Sequence, residues 1–345
     1  MRVLRPAVSA LACFVTFGAA TLRGSDTDGA QVLDAIQHQV LDLFERCRDA
    51  IVRIEGTDSD GKLSGTGFFI DPNGTLYTSY SVGGETHDLV VSIGDARHPA
   101  KRIAADARTG IAILQIDAQT PFLTFGKSRE LRTASPVLAI GYPMDLPITP
   151  SFGIVGGFDI RYLGRCFATA HIRANVPVQR GQGGAPLLNM RGEVVGLLIS
   201  SIDNGSASFV LPIEAAEKVR RDFARFQQVR PGWMGIVIGP SVPGAADAPP
   251  VVEGLAENSP GAKAGIQAGD VLVQLGEFPL KSEDDVLAAS FYLTAEDAVK
   301  LVVQRGAERL TFNMEPIDHP QFQRSLTSEL PVTDLRLPST DLLVR

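Results

Sequence analysis

Gly65-Thr66-Gly67-Phe68-Phe69-Ile70-Asp71-Pro72-Asn73-Gly74-Thr75-Leu76-Tyr77-Thr78-Ser79-Tyr80-Ser81-Val82 is the stretch from which the rest of the chain can be read. Residues 66–70 are apolar and mostly β-branched or aromatic, the composition of a buried strand. Asp71-Pro72-Asn73-Gly74 is a turn, because proline presets φ while asparagine and glycine tolerate left-handed backbone. Leu76-Tyr77-Thr78 then resumes the strand. Runs of the same kind lie at 51–54, 89–93, 111–116, 137–140, 194–199 and 209–213. Many short strands separated by Gly and Pro predict a sandwich or barrel and argue against a βαβ fold.

Two helices flank this β-rich unit. Val32, Ile36, Val40 and Phe44 recur every four residues, with Leu33, Leu41 and Leu43 beside them, which predicts an amphipathic helix. A second is predicted at about 214–228, with Ala215, Val219, Phe223 and Phe226 on one face. Arg230-Pro231-Gly232 marks a boundary. Beyond it strand-like runs at 234–238, 251–255, 271–275, 299–304 and 309–314 surround a helix beginning at Ser282, a good N-cap followed by Glu283, Asp284 and Asp285 at the positive end of the helix dipole. The expected organisation is a signal peptide at 1–20, a flexible leader at 21–30, a β domain with its N-terminal helix at 31–228, a smaller domain at 230–316 and an irregular tail at 317–345.

The signal reading rests on Arg2 and Arg5, the apolar run from Ala7 to Phe17, and the small residues Gly18-Ala19-Ala20. That run is shorter than a membrane span requires, so export to the periplasm or another extracytoplasmic space is expected. The net charge of -7, without a basic stripe, argues against a nucleic-acid partner. Removal of Cys13 with the signal leaves Cys47 and Cys166, which an oxidising compartment permits to pair but which serve equally as buried free thiols. Five histidines and three cysteines without ligand spacing predict no metal, and no cofactor motif is present.

The opening stretch resembles the HtrA (Deg) family of exported serine endopeptidases. The likeness continues through Asp106-Ala107-Arg108-Thr109, Gly141-Tyr142-Pro143, Pro177-Val178-Gln179-Arg180-Gly181 and Gly192-Glu193-Val194-Val195-Gly196. The resemblance implies a mainly β protein: a chymotrypsin-like double β-barrel followed by a circularly permuted PDZ domain. It also implies a histidine, an aspartate and a serine for catalysis, in which the imidazole takes the proton of the attacking hydroxyl and the carboxylate orients the imidazole. The three positions correspond to Ser81, Gly110 and Gly183, so none carries its functional group. His87 and the pair Ser200 and Ser201 lack the surroundings that would make them substitutes. The family's oxyanion hole is built from backbone N–H groups, which Gly181 and Gly183 retain; a turn glycine's ordinary role is the competing reading.

The smaller unit resembles a PDZ domain. Trp233-Met234-Gly235-Ile236 matches its carboxylate-binding loop, and Ser259-Pro260-Gly261-Ala262-Lys263-Ala264-Gly265-Ile266 the turn that follows. The resemblance implies strand addition by a peptide whose terminal carboxylate rests on loop N–H groups. Leu287 and Phe291, one helical turn apart, are candidates for the opposite wall, with core packing as the other reading of both. The expected function is non-catalytic binding of peptide C-termini or unfolded proteins, as chaperone, adaptor or regulator of active HtrA relatives, with a homo-oligomer allowed. The rivals are a weak or unconventional endopeptidase and a purely structural assembly subunit.

Overall fold

The structure, a computed structural model, describes residues 26–318 except 145, 164, 203–204 and 242–247. The expected signal segment and all but two residues of the expected tail lie outside the described residues. The chain divides after Gln39 into two compact units. Helix α1, Asp26–Cys47, begins in the first and ends in the second. The leader expected up to residue 30 is therefore helical from residue 26 on. Asp26-Thr27-Asp28 is the composition of a helix start, and it outweighs the single Gly29.

From Val40 onward α1 contributes Leu43 and Cys47 to the main core, with Val40 and Phe44 packed against it. The first sheet holds seven strands: β1 Ile51–Asp58, β2 Gly61–Phe69, β3 Thr75–Ser79, β4 His87–Ile93, β5 Ala96–Pro99, β6 Lys101–Asp106 and β7 Ile111–Gln115, in the order β5-β4-β1-β2-β3-β7-β6. A single helical turn, α2 Tyr80–Gly83, follows β3. The second sheet, β8 Pro136–Gly141, β9 Thr149–Tyr162, β10 Arg165–Asn175, β11 Pro186–Leu188, β12 Val194–Ile202 and β13 Ala207–Pro212, closes into a barrel. The hairpin of β9 and β10 was not legible in the sequence, because Gly153, Gly156 and Gly157 and charged residues interrupt its apolar pattern. Helix α3, Ile213–Phe226, leaves β13 and buries Ala215, Ala216 and Val219.

The PDZ unit is built on β15 Ile236–Pro240, β16 Pro250–Leu255, β17 Val271–Leu275, β19 Val299–Arg305 and β20 Glu308–Met314, with β18 Phe278–Pro279 on β17. Its short helices are α4 Pro260–Ala264 and α5 Glu283–Ser290. The Ser282 hydroxyl accepts from the Asp285 N–H and the Asp285 carboxylate accepts from the Ser282 N–H, a complete capping box. A strand was expected from residue 234, yet β15 starts at Ile236, because Gly235 has φ +68° and breaks the extended run. The tail was expected to be irregular from 317. Instead β21 Ile317–Asp318 pairs with β14 Gly232–Trp233, and Arg230 holds Asp318 with contacts of 2.7 and 2.6 Å. Among the described residues no helix is long and apolar enough to cross a membrane.

Candidate functional site

The site is assembled around the opening stretch. Thr78 and Ser79 end β3, and α2 then lifts Ser81 to the surface while Ser79 stays buried. The two hydroxyls are 2.9 Å apart. Gly110, just before β7, is drawn to this turn by its carbonyl, which accepts from the Tyr80 N–H at 2.6 Å. Gly183 arrives from the second barrel. Thr66 on β2 holds its loop, donating from its N–H to the Gly183 carbonyl at 3.0 Å and from its hydroxyl to the Gly181 carbonyl at 2.7 Å. A Cβ at Gly183 would stand 3.1 Å from Ser79 Oγ and 3.7 Å from Ser81 Oγ. The three positions singled out by their sequence context thus meet at one place between the two sheets.

Ser81 and Gly183 open into a cleft of about 1530 Å³ whose lining also includes Met144, Arg180, Gly181 and Ile199, while Gly110 lies behind Ile199 and does not line it. Among the described residues no histidine lines it. His87 is exposed on β4, and His171 is buried on β10 with a ring nitrogen 2.9 Å from the Thr169 carbonyl. Burial pushes His171 down to about 4, against the smaller opposing effect of that hydrogen bond. Ser200 and Ser201 do line the cleft, on β12.

Ile199 was not anticipated from the sequence. Gly110 has φ +78°, and a Cβ there would come within 2.5 Å of Ile199 Cγ2. The place where an acid at 110 would begin is filled by an aliphatic side chain of β12. Nothing local marks Ile199, because only the barrel's closure brings it to Gly110.

The two loop glycines have preset N–H directions. The Arg180 carbonyl accepts from the Met144 N–H at 2.6 Å, so across the trans peptide the Gly181 N–H points the opposite way. The Gln182 carbonyl accepts from the Ala185 N–H at 3.0 Å, and the same geometry turns the Gly183 N–H away from that turn. Gly181 itself has φ +90°, and a Cβ would meet the Tyr142 carbonyl at 2.4 Å, so only glycine fits.

In the PDZ unit, Gly235 turns the loop. Its carbonyl accepts from the Ala256 N–H at 2.9 Å and that of Met234 from the Gly261 N–H at 2.9 Å. The Met234 side chain belongs to the PDZ core, so it does not shape a pocket; Ile236 is half-buried at the core's edge, and Trp233 is half-buried on β14. Leu287 is half-buried on α5. Phe291 does not form the second wall. It is buried in the cluster centred on the main domain, with Lys218 Nζ 5.7 Å from its ring centroid. The reason is helical spacing. Asp284, Ala288 and Phe291 share one face, and Arg161 and Thr169 of the barrel bind Asp284 and the Ala288 carbonyl at 2.8 and 2.9 Å. Cys47 is buried and Cys166 exposed, both unpaired, which removes the disulfide alternative and, for Cys166, the buried one. Among the described residues no cluster could hold a metal.

A two-sheet peptidase scaffold with its cleft at the sheet boundary and a PDZ unit behind it defines a class, the trypsin-like peptidases with a PDZ domain. A trypsin-like peptidase domain is matched at residues 65–197 and a PDZ domain at 232–315. The chain belongs to the HtrA/DegP family of that class. It is 31% identical over 295 residues to a protein of Pseudomonas fluorescens, covering 81% of this chain and 61% of that protein. It is 28% identical over 283 residues to one of Halomonas elongata, covering 78% and 60%. Both carry the name periplasmic serine endoprotease DegP-like, and the present chain is extracytoplasmic as they are. It spans about 60% of the length of these relatives. Its fold is shared with the HtrA-type protease AlgW with tripeptide, at a TM-score of 0.63 and 22% identity over 81% of this chain and 97% of that one. The serine endoprotease from Yersinia pestis has the same fold, at 0.54 and 21%, over 81% and 97%.

Proposed function

We propose that this chain is a non-catalytic HtrA-type protein that holds peptide ends and unfolded segments outside the cytoplasm. The observation that carries the reading is Ile199 against Gly110: the acid's position is not merely unoccupied by a carboxylate but filled. With serine at 81 and glycine at 183 there is also neither base nor nucleophile. In a serine protease, loss of the triad costs roughly a millionfold in turnover and leaves about a thousandfold over water. The names of the relatives favour a weak endopeptidase as the second reading. The two part on one measurement: purified protein should neither cleave casein nor react with a fluorophosphonate. Stoichiometric labelling abolished by changing one serine would sink the non-catalytic reading.

The PDZ loop is the proposed peptide-end site. Met234, Gly235 and Ile236 supply N–H groups, Trp233 the entrance, Ile236 and Leu287 the pocket sides. Outside the strand ladders the N–H groups of Met234 and Gly235 have no backbone acceptor among the described residues, which leaves them for a carboxylate. Binding should be modest, tolerant of sequence and strongly weakened when the peptide is amidated; equal affinity for acid and amide forms in titration removes the loop from consideration. Removal of residues 1–20, a mature start at Thr21, self-association and partnership with active relatives belong to the same proposal, as adaptor or chaperone.

A further inference from the structure

The PDZ sheet carries an irregularity beside the proposed peptide-end loop. β15 and β16 pair Val237 with Gly254 and Ile238 with Val252, so Glu253 stands opposite no residue and forms a β-bulge. A bulge bends its strand and re-aims the side chain of the extra residue. Here that side chain crosses β15. A Cβ on Gly239 would collide with Glu253 Oε1 and Cδ and lie 3.1 Å from Cγ. The carboxylate therefore rests over the Gly239 backbone, in space that any other residue at 239 would fill.

Glu253 is exposed and has no hydrogen-bonding or charged partner among the described residues. The hairpin segment at 242–247 contains neither Lys nor Arg, so it brings no cation to the carboxylate.

β15 is the outer strand of its sheet, and its free edge is where an added peptide strand would lie. A peptide whose carboxylate sits at the loop before Ile236 must run antiparallel to β15, with its last residue opposite Ile236. Side chains alternate between the faces of a sheet. The last and third-last residues thus turn to the core side, with Ile236 and Ile238. The second-last and fourth-last turn to the other face, with Val237 and Gly239. The fourth-last stands next to the Glu253 carboxylate.

We infer that Glu253 is a specificity-determining residue, which selects peptide ends carrying lysine or arginine fourth from the terminus. A cationic side chain there pairs with the carboxylate without displacing a partner already in place. An acidic one sets two carboxylates side by side, and like charges directly opposite on a sheet are destabilising. This deepens the peptide-binding reading and rests on it, since the register follows from a carboxylate held at the loop.

The test titrates the full chain with fluorescein-labelled hexapeptides Ala-Ala-X-Ala-Ala-Val, read by anisotropy, in which X is lysine, glutamine or glutamate. At low salt the lysine peptide should bind about fivefold tighter than the glutamine peptide, the upper end for an exposed ion pair, and the glutamate peptide severalfold weaker. Glu253→Gln should erase the lysine preference, and Glu253→Lys should turn it towards glutamate. Equal affinity of the lysine and glutamine peptides for the unaltered chain overturns the inference, as does a lysine preference that survives Glu253→Gln. A peptide with its lysine moved one place towards the N-terminus has the same charge but presents it on the core-side face. If that peptide binds as well as the original, the preference is general attraction to a protein of net charge -7, and the inference falls. The amide forms separate the two readings. Preference for acid over amide without preference for lysine overturns this inference alone. Equal binding of acid and amide removes the peptide-end site, and this inference with it.

Discussion

At the scale of single residues, the cleft illustrates how much a glycine can decide. Gly110 and Gly235 both have positive φ, and both sit where a Cβ would collide, the first with Ile199 and the second with Ser259 Cβ at 2.3 Å. Gly235→Ala combines left-handed strain of about 1–2 kcal/mol with overpacking of about 1–3 kcal/mol, so the PDZ unit should lose roughly 2–5 kcal/mol in urea unfolding. Restoring the family residues by Ser81→His, Gly110→Asp and Gly183→Ser should leave the protein inert to fluorophosphonate, because the new carboxylate has no room. Adding Ile199→Ala should permit labelling, since aspartate tolerates left-handed backbone at about 1 kcal/mol once space exists. Labelling of the triple variant as fast as of the quadruple one would remove Ile199 from the account.

The elements matter through their faces. The sequence suggests α5 as one wall of a peptide groove, and the structure takes Phe291 out of that wall. Asp284, Ala288 and Phe291 form the face that docks on the barrel, while Leu287 is half-buried on α5 and is the residue proposed for the groove. Two truncations separate these roles. Phe291→Ala should cost about 3–5 kcal/mol of stability by emptying a buried site. Leu287→Ala should cost well under that, yet weaken the acid-form peptide severalfold, read by titration. Ser282→Ala removes the capping box and should cost about 1 kcal/mol, measured by the same unfolding experiment.

Across the whole molecule, the PDZ unit is held to the main domain by a buried polar knot. Lys218 and Asp222 of α3 pair at 1% and 3% exposure, and Asp222 also accepts from the Thr294 hydroxyl at 3.1 Å and the Arg230 N–H at 2.9 Å. Burial pulls the Lys218 ammonium below its usual range, against the opposing pull of Asp222. Arg161 with Asp284 and Arg225 with Asp297 bridge the units at 2.8 Å each, but half-exposed pairs contribute little. Asp222→Ala strands a buried cation and should cost about 3–5 kcal/mol, whereas high salt should cost under about 1 kcal/mol. Acid acts through His171. Its unfolded value near 6.5 exceeds its folded value of about 4, so the unfolded chain binds the extra proton between them. Stability from this group is complete above pH 6.5 and is lost as pH falls towards 4, about 3 kcal/mol in all. A His171→Phe variant should show a flatter profile over that range in denaturant titrations.

The chain's own order of residues determined the strand runs, the turn at 71–74, the domain order and the three positions 81, 110 and 183 as ones to examine, because periodicity, turn chemistry and motif spacing are local properties. The loop at 233–236, the proposed peptide-end site, was singled out by the same kind of local pattern. What local order could not carry was contact between residues far apart in sequence. The pairing of β14 with β21, the docking of Phe291 and the long hairpin of β9 and β10 depend on which surface each segment meets. Ile199 is the plainest instance: 89 positions beyond Gly110, it is an unremarkable strand residue until the barrel closes, and only then does it occupy the space an acid would need.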